Sequence, residues 1–185
     1  MEYFVQYIGT LGPYLLFLLS ILYLWSHRMI TYLQYFGMGA AFNLLVNFAV
    51  KIMVQQPRPK EDLTIGDNKF EFGLSDLKTR KGSDRYGMPS GHAQTTAYSL
   101  AFMAPVFARN AAANASTLVF SFLFAVYLII GTITIIQRVM YKHHTVLQML
   151  VGLILGGIIG LSTYQITKYK IQGALRPKKD DGRLQ

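Results

Sequence analysis

Five apolar stretches, each close to the length of a membrane-crossing helix, constrain the fold of this chain more than any other feature. Roughly 20 consecutive apolar residues in helical form are needed to cross the hydrocarbon core of a bilayer. The stretches run from about Ile8 to Trp25, Met29 to Val50, His92 to Ala108, Ser116 to Ile136 and Thr145 to Tyr164. We therefore predict an all-α fold, a multi-span transmembrane helical bundle with about five membrane helices.

The composition supports a membrane protein and narrows its partners. Only 15% of the residues are charged, against about 25% in an ordinary soluble domain. The net charge of +9 suits nucleic acid, anionic lipid or a phosphate substrate. Because the positive charge is divided between both membrane faces and no nucleic-acid-binding motif is present, we expect the bilayer and a membrane lipid as partners and no nucleic acid. The absence of cysteine excludes a disulfide framework and a thiolate metal site.

The connections between the spans predict which residues share a membrane face. Five spans place the long polar connection after Lys51 and the turn from Gln137 to His144 on one face, which we call the active face. The turns at Arg28 and Arg109 and the C-terminal segment fall on the other face. The basic residues of the C-terminal segment predict that this face is cytoplasmic. We expect residues 1–167 to form the membrane-embedded domain, with loop 52–88 over the active site, and residues 168–185 to form a basic, disordered tail.

Two sets of small or polar residues inside the spans indicate helix packing. Gly152, Gly156 and Gly160 recur every four residues in the fifth span, where small residues allow close approach of a neighbouring helix. Asn43 and Asn47 lie one turn apart in the second span, and we expect both to form hydrogen bonds with a neighbouring helix.

The first polar cluster on the active face is Lys51 followed by Arg58-Pro59. Pro57 and Pro59 hold the chain extended around Arg58, and a guanidinium binds phosphate oxygens through two parallel donors. The alternative is that the two cations extend to lipid headgroups at the membrane boundary.

The second cluster, from Gly87 to His92, directly precedes the third span. Ser90 is a helix-capping residue, and the free backbone N–H groups of a helix start favour an anion. Gly91 lets a phosphate approach the backbone, and His92 is placed to donate a proton to a leaving oxygen. The alternative is a capped helix with an interfacial histidine.

The third cluster holds Arg138, His144 and Gln148. Gln148 lies one helical turn after His144 and therefore on the same helix face. A side-chain oxygen that holds one imidazole nitrogen fixes the tautomer, which leaves the other nitrogen of His144 to attack phosphorus. His143 must face elsewhere, and we interpret it as a bystander.

Together the clusters supply what phosphoryl transfer needs: a nucleophile, an acid for the leaving group and fixed positive charge. Six of the nine acidic residues lie in the long loop, without a spacing typical of metal ligands. We therefore expect neither a metal ion nor another cofactor.

The clusters resemble the three signature motifs of the type 2 phosphatidic acid phosphatase superfamily. The residues that carry the resemblance are Lys51-x6-Arg58-Pro59, Pro89-Ser90-Gly91-His92 and Arg138-x5-His144, in the family's order and spacing. The resemblance implies that His144 forms a phosphohistidine, that His92 is the general acid, and that no metal ion is needed. It also implies a phosphate site made of Lys51, Arg58, Ser90, Gly91 and Arg138. Membrane enzymes of the superfamily usually have six spans, so we expect one N-terminal span to be absent.

Two positions depart from the family pattern. Gln137 replaces the usual serine before Arg138, and Gln148 replaces the aspartate that usually follows the nucleophile by four residues. A glutamine oxygen still accepts the His144 N–H but offers no charge to an imidazolium, which leaves an inactive relative as an alternative. The stretch from Tyr86 to Gln94, together with this glutamine, is similar to the dolichyl diphosphatase branch. Gly91 stands where that branch commonly has serine.

The resemblance implies a hydrolase that removes the terminal phosphate of a polyprenyl diphosphate, converting dolichyl diphosphate to dolichyl phosphate. It places the enzyme in the endoplasmic reticulum membrane with a lumenal active site, or in the plasma membrane with an external one if the source is not eukaryotic. The alternatives are a broad lipid phosphate phosphatase, acting on phosphatidic acid, phosphatidylglycerophosphate or undecaprenyl diphosphate, and a catalytically inactive phosphatase-like membrane protein.

Overall fold

The computed structural model describes residues 2–59, 85–114 and 117–172. These ranges form five α-helices: α1 (Glu2–Ser26), α2 (Ile30–Val54), α3 (Gly91–Asn114), α4 (Thr117–Met140) and α5 (Val146–Gln172). A single isolated β-bridge joins Pro57 to Tyr86. The predicted all-α, multi-span bundle is confirmed, and α1, α2, α4 and α5 are each long and apolar enough to cross a membrane.

Helix α3 differs from the other four because it is the central helix of the bundle. It contacts each of the others, most extensively α5, and it buries the polar side chains of Gln94, Thr96, Ser99 and Asn110. A helix shielded from lipid by protein tolerates such residues. With these polar residues, α3 is not apolar enough to be identified as a membrane span from its composition. A helix nevertheless forms where the third span was predicted.

The glycines of α5 lie against the backbone of α3. A methyl group added at Gly152 would lie 2.7 Å from the carbonyl oxygen of Ser90, and one at Gly160 would lie 2.5 Å from the carbonyl oxygen of Tyr98. Gly156, between them, approaches the α3 backbone more closely still. The predicted close packing through these glycines is confirmed.

A buried amide network joins α2 to α3 near the active face. Gln94 Nε2 lies 2.9 Å from the carbonyl oxygen and 3.0 Å from the Oδ1 atom of Asn43. Asn47 Nδ2 lies 2.8 Å from Gln94 Oε1. Asn43 and Asn47 therefore bond to a neighbouring helix, as predicted. Since an unsatisfied polar group in a membrane interior is costly, these contacts also specify how α2 and α3 pack.

The outer surface of the bundle is apolar, as expected of helices in contact with lipid. Large exposed side chains on the outer faces of α2, α4 and α5 include Leu44, Leu45, Phe122, Ile129 and Ile154.

Helix α5 extends beyond its predicted end. It continues to Gln172, so residues 168–172, expected to begin the disordered tail, are helical. The rest of that tail, residues 173–185, and residues 60–84 of the predicted covering loop lie outside the described residues.

Candidate active site

Three chain segments from distant parts of the sequence meet at one end of the bundle. Arg58, in the segment that follows α2, places Nη1 3.2 Å from His144 Nε2. Gly87, in the segment that precedes α3, places its carbonyl oxygen 2.9 Å from His144 Nδ1. The two described ends of the long connection and the Gln137–His144 turn therefore lie on one face, as predicted from the number of spans. On the opposite end, Arg109 Nη1 lies 3.0 Å from Tyr32 Oη.

The hydrogen-bond partners of His144 determine its tautomer. Nδ1 faces the Gly87 carbonyl oxygen and, at 3.3 Å, Gln148 Oε1, both of which only accept. Nε2 faces the Arg58 guanidinium, which only donates. His144 is therefore protonated on Nδ1, and Nε2 carries the lone pair. A neutral imidazole with an oriented lone pair beside a cation is the arrangement that nucleophilic attack on an anionic phosphate requires.

The surroundings of His144 keep its ring neutral. Only 3% of the residue is exposed. Burial, followed by the positive charges of Arg58 and Arg138, holds the pKa of the His144 imidazole well below its ordinary value, and His92 and Lys51 act in the same direction. Burial disfavours the charged form of an imidazole, and nearby cations disfavour it further.

His92 and Arg138 form the second half of the site. Arg138, at the end of α4, is 1% exposed, and its Nη2 atom lies 2.6 Å from His92 Nε2. The carbonyl oxygen of Thr10, on α1, lies 3.2 Å from the same nitrogen. A guanidinium only donates and a carbonyl only accepts, so Nε2 satisfies one of these partners at a time. The deprotonated ring accepts from Arg138, and the ring protonated on Nε2 donates to Thr10.

The remaining predicted phosphate-binding residues lie at the ends of α2 and α3. Lys51 is 6% exposed in the last turn of α2. Ser90 caps α3 as predicted, since its Oγ accepts from the Ala93 N–H at 3.4 Å. The backbone N–H of Ser90 donates to the Gln148 carbonyl oxygen at 3.1 Å.

Gly91 has room for a β-carbon. A methyl group added there would lie 3.5 Å from the nearest atom of Asn47, which is ordinary van der Waals distance. The β-carbon of the serine that is common in the dolichyl diphosphatase branch therefore fits at this position.

Gln148 belongs to a capping box that the sequence analysis did not recognise. Gln148 N donates to Thr145 Oγ1 at 3.2 Å, and Thr145 N donates to Gln148 Oε1 at 3.1 Å. A threonine followed three residues later by glutamine is the sequence signal of this reciprocal cap. Thr145 therefore caps α5, and Gln148, in its first turn, contacts the His144 ring with the same oxygen.

His143 lies closer to the site than its predicted role as a bystander suggests. Its side chain is buried, and its ring centroid lies 6.4 Å from that of Tyr141. Its carbonyl oxygen lies 3.3 Å from Arg58 Nη1, so the His143 backbone helps to hold the guanidinium next to His144.

Three contacts at the site were not predicted from the sequence. Thr10 and Gly87 contribute only carbonyl oxygens, and a backbone acceptor has no signature in the sequence. Gln56 contributes its side chain to Gln148, and its position two residues before Arg58 was the one available signal. Within the described part of the chain, no group of three or more His, Cys, Asp or Glu side chains is placed to hold a metal ion.

The bundle and its polar end define an integral membrane protein of the phosphatase class. A family model described as the PAP2 superfamily matches residues 31–172, and the chain belongs to this superfamily. The matched range contains α2 to α5 and all three predicted clusters. It excludes all of α1, although α1 carries the Thr10 carbonyl that faces His92.

One curated relative is a palmitoyl-protein thioesterase–dolichyl pyrophosphate phosphatase fusion from Schizosaccharomyces pombe. It is 25% identical over 174 residues, which cover 91% of this chain. The chain spans 25% of the length of this relative. No solved structure matches the chain.

Proposed function

We propose that this chain removes the terminal phosphate of a polyprenyl diphosphate, of which dolichyl diphosphate is an example, through a phosphohistidine on His144. The observation that carries the proposal is the orientation of this imidazole. Acceptors hold its Nδ1–H, and its Nε2 lone pair lies beside the Arg58 guanidinium. A phosphate bound by Arg58 presents its phosphorus to that lone pair.

In the first proposed step, His144 Nε2 attacks the terminal phosphorus. An N–P bond forms as the P–O bond to the lipid phosphate breaks, and His92 donates a proton to the leaving oxygen. Lys51, Arg58 and Arg138 surround the transferring group with positive charge. The first turn of α3, at Ser90 and Gly91, faces it with the Ser90 hydroxyl and with backbone N–H groups.

In the second proposed step, water attacks the phosphohistidine. His92, now deprotonated, takes a proton from the water as its oxygen bonds to phosphorus and the N–P bond breaks. Inorganic phosphate leaves, and His144 returns to its neutral form. Gln148 keeps the Nδ1–H oriented through both steps. No metal ion takes part.

The proposed lipid tail and location are supported by two observations. The apolar outer faces of the helices keep the site at the membrane surface, where a polyprenyl chain stays in the bilayer while its diphosphate reaches the active face. The relative in fission yeast has a dolichyl pyrophosphate phosphatase in its printed name. We place the site on the lumenal side of the endoplasmic reticulum, with the basic C-terminal end in the cytoplasm.

Phosphate release by the purified protein tests the proposal. Dolichyl diphosphate, undecaprenyl diphosphate, phosphatidic acid and phosphatidylglycerophosphate are compared in EDTA, with His144→Ala and His27→Ala as matched variants. His27 is an exposed histidine in the turn that follows α1, on the opposite membrane face. We expect release from the polyprenyl diphosphates, abolished by His144→Ala and unchanged by His27→Ala.

Other results would replace the proposal. Equal rates on phosphatidic acid would indicate a broad lipid phosphate phosphatase. Activity lost in EDTA and restored by Mg²⁺ would exclude the metal-independent mechanism. No release from any substrate would indicate an inactive phosphatase-like protein.

A further inference from the structure

A closed ring of hydrogen bonds connects the three segments of the candidate site. His144 Nδ1 donates to the Gly87 carbonyl oxygen at 2.9 Å. The Gly87 N–H donates to the Gln56 carbonyl oxygen at 2.7 Å. Gln148 Nε2 donates to Gln56 Oε1 at 3.2 Å, and Gln148 Oε1 lies 3.3 Å from His144 Nδ1. Gln56 is thus the only residue of the ring that belongs to the segment carrying Arg58.

The orientation of the Gln148 amide follows from its partners. Its Nε2 atom faces two acceptors, Gln56 Oε1 and, at 2.9 Å, the Pro57 carbonyl oxygen. Its Oε1 atom faces two N–H groups, those of Thr145 and the His144 ring. Both N–H donors and both acceptor positions of the amide are therefore in use. Rotating the amide by 180° would place Nε2 against N–H donors and Oε1 against acceptor oxygens.

We propose, on the basis of the proposed function, that Gln56 is a positioning residue that acts through Gln148. Gln56 and Pro57 accept hydrogen bonds from the two N–H groups of Gln148. Because Arg58 directly follows Pro57, these bonds fix the position of the nucleophile His144 relative to Arg58. The phosphorus-attacking nitrogen and the phosphate-binding guanidinium are thereby positioned by one amide.

This arrangement explains why a neutral amide stands where the superfamily usually has an aspartate. A carboxylate would hold the His144 N–H equally well, but it has no hydrogen to donate to the Pro57 carbonyl oxygen. Two acceptors 2.9 Å apart repel, and the segment with Arg58 would move away from His144. Under this proposal, Gln148 serves the site by these contacts, and the absence of an aspartate does not by itself mark the protein as inactive.

The test compares Gln56→Met, which keeps the size and removes the acceptor, with Gln56→Glu, which keeps an acceptor oxygen. Gln55→Met is the matched control, since Gln55 is exposed and adjacent. Phosphate release from dolichyl diphosphate is measured for each, together with the ¹⁵N spectrum of the His144 ring without substrate. We expect Gln56→Met to lower kcat/KM about tenfold, the effect of one lost hydrogen bond, and to shift the His144 signals. Gln55→Met should resemble the unaltered protein in both measurements, and Gln56→Glu should lose less than Gln56→Met.

A second substitution tests the donor side of the same contact. Gln148→Glu keeps the length of the side chain and the acceptor for His144, and it removes the donor to Pro57. If charge on an imidazolium were what this position supplies, Gln148→Glu would be faster than the unaltered protein. We expect it to be slower than Gln56→Met.

The outcomes separate this proposal from the proposed function. The positioning role of Gln56 would be overturned if Gln56→Met left phosphate release and the His144 signals unchanged. Equal losses of kcat/KM in Gln56→Met and Gln56→Glu would overturn it as well. If the unaltered protein releases no phosphate but Gln56→Met alone shifts the His144 signals, positioning by Gln56 stands and the proposed function fails.

Discussion

Arg138 donates a 2.6 Å hydrogen bond to His92, so the proposed general acid is held as an acceptor by one of the proposed phosphate-binding groups. His92 gains its catalytic proton only when Arg138 turns toward another acceptor. A bound phosphate is such an acceptor, and the Thr10 carbonyl then receives the His92 Nε2–H. In the proposed mechanism, substrate binding and protonation of the acid are therefore coupled through Arg138.

This coupling predicts a large effect of Arg138→Lys. Lysine keeps the charge but has no second nitrogen to reach phosphate and His92 together. We expect kcat to fall about 10²- to 10³-fold, as for loss of one donor that stabilises transition-state charge. Arg109→Lys, on the opposite end of the bundle, is the control and should keep its rate. Equal rates for Arg138→Lys and the unaltered protein would show that the guanidinium has no special role.

The ionisation of His144 can be followed directly. Because burial, Arg58 and Arg138 lower its pKa, the ring should stay neutral, with the proton on Nδ1, as the pH falls through about 6.5, where an ordinary histidine is half protonated. The ¹⁵N spectrum of ring-labelled protein measures this, and the His144→Gln variant assigns the signals. Protonation of His144 near pH 6.5 would contradict the environment described above.

The same lowered pKa predicts how stability depends on pH. Protons bind His144 more tightly in the unfolded protein than in the folded one. Its contribution to the free energy of unfolding is therefore complete above about pH 6.5 and is lost as the pH falls toward the pKa of the folded state. The melting temperature in detergent should therefore decrease on acidification. The decrease should be shallower in His144→Gln, and parallel curves for the two proteins would exclude this contribution.

Gly87→Ala should disable the site without unfolding the bundle. A methyl group there would lie 2.5 Å from the Gln148 amide, which would displace Gln148 from His144. We expect kcat to fall about tenfold or more, since at least one hydrogen bond is lost, with little change in melting temperature. Gly37→Ala is the control, because no atom lies within 4 Å of its added methyl group.

The packing of α3 against α5 predicts opposite effects at adjacent glycines. Gly156→Ala would place a methyl group against the Gln94 carbonyl oxygen, whereas Gly157→Ala meets nothing within 4 Å. We expect Gly156→Ala to destabilise the fold by about 1–3 kcal/mol through overpacking. Gly157→Ala should be neutral or stabilising by up to about 1 kcal/mol, the helix preference of alanine over glycine. Melting temperatures of the two variants measure the difference, and a stable Gly156→Ala would contradict the observed contact.

The helices and the shared face of the three clusters were predictable because their signals are local. An apolar run of membrane length specifies a helix wherever it occurs, and the number of spans determines which connections share a face. The glycine spacing of α5 and the amides of α2 were predictable in the same way. The central position of α3 was less evident, because a span with polar residues has the same composition whether those residues face a partner helix or a cavity.

The sequence by itself determined that this chain is a five-helix membrane bundle with arginine, lysine and histidine clusters at one end. Only the tertiary structure decided which atoms those clusters use. The Gly87 and Thr10 carbonyls lie 57 and 82 residues from the histidines they contact, and every residue type has a carbonyl. Which of them reaches an imidazole depends on how five helices pack, and packing is a property of the whole bundle and not of any single stretch of residues.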